Sequence, residues 1–119
     1  VAKLPHPLEA EILRQCLDYL ALQPDFFTWR NNTGAFRIPN ALGGKTRFVR
    51  AGLVGSSDIL GVMAPRGRLV AIEIKRPGNN PTEAQYTFLE LVNRLGGLSC
   101  VVRSLDDLIA RVNDWRSLP

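Results

Sequence analysis

The sequence predicts an α/β domain, a central mixed β-sheet flanked by α-helices. Three observations predict it. Apolar residues recur at helical spacing in three stretches, beginning at Ile12, Ala84 and Leu105. Four short apolar runs lie between them, bounded by Gly, Pro and Asn. The resulting order is helix, strands, helix, strand, helix, which requires helices packed on a sheet.

Residues 7 to 21 read as the first helix. Pro7 suits its first turn, and Ile12, Leu13, Cys16, Leu17 and Leu20 form its apolar stripe. Pro24 follows its end. Phe26 to Asn31 reads as an aromatic strand. Residues 32 to 46 hold Asn, Pro and Gly-Gly and read as a loop, followed by a short strand from Arg47 to Arg50. Leu53 to Ser57 is a turn-like approach to a strand from Asp58 to Met63. Pro65-Arg66-Gly67 turns the chain into a second strand, Leu69 to Lys75, apolar enough to be central. The Pro77–Pro81 segment breaks it. A helix then starts near Thr82 and is expected to carry Ala84, Phe88, Leu91, Val92 and Leu95 inward, ending at Gly96-Gly97. Leu98 to Val102 is a further strand. Ser104, with Asp107 three residues on, resembles a capping box for a last helix that buries Leu105, Leu108, Ile109 and Val112.

Composition narrows the function classes. A chain of 119 residues fits one domain over 1–119. Its 45% hydrophobic and 22% charged residues exclude a disordered chain. A net charge of +4 favours an anionic partner such as nucleic acid. No apolar run is long enough to span a membrane, and Val1 to Pro7 lacks the apolar core of a secretory signal. Cys16 and Cys100 form no Cys-x-x-Cys pair and read as buried free thiols in a reducing compartment. His6 is the single histidine, which excludes zinc sites built from several His ligands.

The chemistry concentrates around Asp58, Glu73 and Lys75. Strand side chains alternate, so Glu73 and Lys75 share one face while Ile72 and Ile74 take the other. Two carboxylates at the ends of a strand hairpin suit a hard divalent cation. A neighbouring lysine suits a water that has to be oriented or deprotonated. Each residue alone has a plainer reading. Asp58 fits a turn or cap, Glu73 a same-face ion pair with Lys75, Glu11 a solvated first-turn glutamate, and Gln85 a capping box with Thr82. The basic residues Arg30, Arg37, Lys45, Arg47, Arg50 and Arg76, with Phe36 and Phe48 interleaved, fit phosphate contacts and base stacking. A solvated surface loop explains the cluster from Arg37 to Arg50 equally well.

The ordered set of motifs resembles the VRR-NUC (virus-type replication-repair nuclease) family of the PD-(D/E)xK superfamily. It comprises Glu11-Ile12 with Leu17 to Leu20, then Trp29 to Gly34, and Gly55-Ser56-Ser57-Asp58-Ile59-Leu60. Ile72 to Gly78, Thr82 to Gln85 and Leu95-Gly96-Gly97 complete it. Ser57 stands where that pattern usually has Pro, and Leu13 where a polar residue often follows Glu-Ile. The resemblance implies a restriction-endonuclease-like core and a Mg²⁺- or Mn²⁺-dependent DNA endonuclease. Asp58 and Glu73 would ligate the metal, with the Ile74 carbonyl as a third ligand. Lys75 would position the attacking water, Glu11 would add an outer carboxylate or serve a second ion, and Gln85 would steady the site. Asn32 would join the arginines and lysine as a DNA contact.

A lone domain of this length leaves little room for a recognition module, which favours structure-selective cleavage. The resemblance points to a homodimeric four-way (Holliday) junction resolvase in the cytoplasm of a bacterial or phage-infected cell. A flap or single-strand repair nuclease, a non-catalytic DNA-binding accessory protein and a purely structural domain are the rival readings. Trp115 and the last helix are one guess at a dimer interface, against core packing.

Overall fold

The computed structural model describes residues 8–32, 34–39 and 43–119. Among them the chain runs α1 (Glu9–Ala21), β1 (Phe26–Arg30), β2 (Gly34–Ile38), β3 (Arg47–Ala51), β4 (Ile59–Met63) and β5 (Arg68–Ile74). It continues with α2 (Glu83–Arg94), β6 (Leu98–Val102) and α3 (Leu105–Arg116). The main sheet has the order β1-β4-β5-β6. Its first two pairings are antiparallel and β5–β6 is parallel, with α2 as the crossover. The mixed sheet flanked by helices is therefore the architecture found.

Register explains the layers. Ile59 pairs with Ile72, and Ile72 with Cys100, so alternate residues of three strands form one apolar face. Helix α1 covers that face with Ile12, Cys16 and Leu20, and α3 with Leu108, Val112 and Trp115. Trp115 thus packs into the core, its ring 6.5 Å from that of Phe26. Both cysteines are free and buried in this layer, and burial pushes the thiols up to about 11 for Cys16 and about 12 for Cys100. On the opposite face, Ala71 packs with Leu89 and Val92 of α2.

Two expectations change. The segment 32–46 is not all loop, because Gly34–Ile38 forms β2 and pairs with β3 in a separate antiparallel hairpin. Helix α2 is rolled relative to its expected facing. Leu89 and Val92 are buried, whereas Ala84, Leu91 and Leu95 are exposed. Apolar spacing alone allowed either stripe. The sheet chose the one that meets Ala71.

Turn chemistry places the site end of the sheet. Gly55 has φ +84°, and a Cβ there would lie 2.8 Å from the Ala84 backbone. Glycine therefore lets the approach to β4 press against the first turn of α2. Thr82 and Gln85 complete a reciprocal capping box there. Ser104 caps α3 by accepting from the Asp107 amide. Asp107 does not return the bond to Ser104, and its carboxylate accepts from the Arg103 amide instead. No described helix is long and apolar enough to cross a membrane.

Candidate active site

Antiparallel pairing of β4 and β5 brings the residue before Ile59 level with Glu73, the residue after Ile72. Asp58 and Glu73 therefore meet although fifteen positions separate them. Asp58 Oδ2 accepts a 2.8 Å hydrogen bond from the Ile74 amide. Glu73 is 1% exposed, and Lys75 Nζ lies 3.7 Å from its Oε1. The Lys75 amide donates to Val102 O at 3.0 Å, so the parallel strand anchors its backbone. Its side chain is still 14% exposed at the rim.

The electrostatics are those of a crowded acid pair. Burial, and then the Asp58 carboxylate beside it, push the Glu73 carboxyl up to about 8, against a smaller opposing pull from Lys75. Among the described residues, Glu73 Oε2 is buried with no hydrogen-bond partner, and so is Ser57 Oγ one residue before Asp58. Buried polar atoms are rarely left unpaired, and such exceptions ask for an explanation. An oxygen-seeking cation fits: two touching carboxylates and a strand-end carbonyl are hard donors. Among the described residues no three His, Cys, Asp or Glu side chains converge. The hard donors this sheet end offers are Asp58, Glu73 and the Ile74 carbonyl.

Helix α1 contributes a carboxylate, but a different one from that expected. Glu9, with Ala10, Leu13, Arg30, Asp58 and Ile74, lines a shallow depression at this sheet end. Glu9 Oε1 also accepts from the Arg76 amide at 3.4 Å. Glu11 lies two residues on, about 200° around the helix, and is exposed. Of the two first-turn acids of α1, Glu9 is the one that lines the depression with Asp58. The signal was present in the sequence, since Glu9 stands one turn before Leu13 on the same stripe.

Gln85 spends its side-chain oxygen on the Thr82 amide, 2.8 Å away, which leaves its NH2 group as the available donor. Arg30 lines the depression, Arg76 follows Lys75 directly, and Asn32 is exposed just beyond β1. Lys45 is exposed in the segment before β3. Arg37 lies on β2, and Arg47 and Arg50 on β3, with Arg37 paired to Phe48 and Arg50 to Ala35.

Sequence reasoning passed over Asn31. Its Nδ2 donates to Ser56 Oγ at 2.8 Å and to Ser57 O at 2.9 Å, and its backbone amide donates to Asp58 O at 2.7 Å. Ser56 Oγ in turn donates to Leu53 O at 2.6 Å. One side chain thus pins the two residues that lead into Asp58. Asn31→Ala should weaken divalent-ion binding about 10-fold or more, as loss of outer support does at metal sites, with a smaller change in melting temperature. Isothermal titration with Mn²⁺ beside a thermal melt checks this, and unchanged Mn²⁺ affinity would refute the bracing role.

The class these features define is a mixed α/β sheet carrying two carboxylates and an amine where two antiparallel strands part. No family model and no curated protein matches the chain. A solved structure does. It is described as a VRR_NUC domain protein and superposes with TM-score 0.62 at 18% identity, over 97% of this chain and 93% of that one. The chain shares that protein's fold.

Proposed function

We propose that this protein is a divalent-metal-dependent endonuclease acting on DNA. The carrying observation is the buried Glu73 carboxylate, held against Asp58 with one oxygen unpartnered among the described residues and Lys75 at its rim. A structural ion pair would need neither the second acid nor the orphaned oxygen. Asp58 and Glu73, with the Ile74 carbonyl, would hold Mg²⁺ or Mn²⁺. When bound, the cation supplies Lewis acidity to the scissile phosphate and lowers the pKa of a coordinated water.

The chain's own groups do the rest. Lys75 aims the attacking water and offsets charge that builds on the phosphoryl oxygens as the P–O bond to the leaving strand breaks. The Asp58–Ile74 hydrogen bond keeps the first carboxylate aimed while the second is in place. Glu9 supports the outer edge of the site from α1. Arg30 and Arg76 stand where a backbone approaching the depression would pass.

The substrate we assign is branched DNA, a four-way junction met by two copies of the chain. A two-fold dimer presents two sites to a two-fold junction. The test is an end-labelled synthetic junction incubated with Mg²⁺ or with EDTA, beside a flap and a linear duplex. Symmetrical paired nicks that need Mg²⁺ are expected. Cleavage confined to the flap would replace the substrate with a repair intermediate. Tight binding without cleavage in Mg²⁺ or Mn²⁺ would replace the enzyme with an accessory DNA-binding protein.

A further inference from the structure

Helix α2 carries a second stripe that nothing described covers. Glu83, Thr87, Leu91, Arg94 and Leu95 follow one another at helical spacing and are all exposed. Leu95 is 76% and Leu91 40% exposed. The two leucines share a groove with Leu69 of β5. Register continues the apolar row across the sheet from Leu69 to Val62 to Phe27, beside Trp29. Phe27 is 69% and Trp29 45% exposed, their rings 5.9 Å apart. Helix α2 packs over β5 and β6 and leaves this half of the face open.

Those six side chains present on the order of 500 Å² of apolar surface, at the upper end of the largest patch on a typical monomer. With flanking polar atoms the face approaches the ~800 Å² per partner of a standard interface. The α2 stripe is also self-complementary. Its first turn is acidic, with Glu83, and its last turn basic, with Arg94. Two α2 helices laid antiparallel about a two-fold axis put Glu83 of each copy beside Arg94 of the other, and Leu91 opposite the short Thr87. The protruding Leu95 then faces the groove at the start of the other α2, which Leu53, Val54, Thr82 and Phe88 line.

We infer that this face is the surface on which a second copy of the chain docks, with α2 packed antiparallel against α2. The inference deepens the two-fold reading proposed above by assigning its interface, and it does not depend on the chemistry of the site.

Sedimentation of the 119-residue chain at micromolar concentration tests it, comparing the native protein with Leu95→Asp. All three positions changed in the test series are exposed, so circular dichroism should report an unchanged fold. The native chain is expected to be a dimer, and Leu95→Asp should raise its dissociation constant at least about 30-fold. Glu83→Arg alone should weaken the dimer, and adding Arg94→Glu should restore it. A native chain that stays monomeric at 100-fold higher concentration, or a folded Leu95→Asp that dimerises like native, overturns the assignment. Mg²⁺-dependent nicking of DNA is scored in parallel. A monomer that nicks defeats the interface and leaves the nuclease standing, whereas a dimer of the expected charge behaviour without nicking does the reverse.

Discussion

Glu73→Gln is expected to stabilise the metal-free protein at pH 8 while abolishing cleavage. The carboxyl is raised from 4.5 to about 8, first by burial and then by Asp58. A raised acid binds its proton more tightly in the folded state than in the unfolded one. Its favourable contribution is therefore complete below about pH 4.5 and is lost as pH rises through about 8. Glutamine keeps the shape and removes the charge. In EDTA the variant and native proteins should melt alike at pH 4.5, and the variant should gain on the order of 5 °C by pH 8. With Mg²⁺ present the order should reverse, because the cation stabilises only the form that holds it. Thermal melts at several pH values, with and without Mg²⁺, measure both effects. A native protein whose melting temperature is flat across that window in EDTA would refute the strained-acid picture. Gain of stability with loss of activity is the exchange expected where a site is held under tension for function.

Lys75→Ala is expected to reduce the single-turnover cleavage rate by about 10³-fold or more while leaving DNA affinity within a few-fold. An amine that orients water and meets developing charge acts chiefly in the transition state, so its removal lowers the rate without a matching loss of binding. The Lys75 backbone is anchored by Val102, independently of its side chain. The fold should therefore survive. Lys75→Arg is the informative companion. It keeps the charge but replaces a compact ammonium with a broad, permanently protonated fork, and it should recover little activity. Rapid-quench cleavage of the labelled junction, beside binding in Ca²⁺, separates the two parameters. An alanine variant that cleaves at the native rate would leave Lys75 as a simple partner of Glu73.

Much of this architecture was legible before any coordinates. The alternation around Glu73 put Ile72 and Ile74 in the core and Glu73 with Lys75 on the other side, and the structure has them so. The α1 stripe, the Thr82–Gln85 cap and the hairpin at Pro65 to Gly67 follow from equally local rules. That Glu9 and not Glu11 lines the depression has a local cause too. Both are first-turn acids, and which of them reaches the site depends on how α1 is rotated on the sheet. The roll of α2 failed for the same reason. Its sequence offers two overlapping apolar stripes, Leu89–Val92 and Leu91–Leu95, and helical periodicity cannot rank them.

What local pattern settled here is which segments fold as helix or strand, and which residue types cluster at the turn between Gly55 and Lys75. Those outcomes depend on interactions within a few residues, namely backbone geometry, caps and alternation. Tertiary packing settled the rest. Asp58 and Glu73 become a strained pair only when β4 and β5 align in register. Glu9 reaches the depression beside Asp58 only when α1 lies on the sheet, and Asn31 becomes a brace only when β1 ends beside the Ser56–Asp58 turn. Burial and charge proximity are properties of separated segments brought together, and a linear chain does not carry them at any one position.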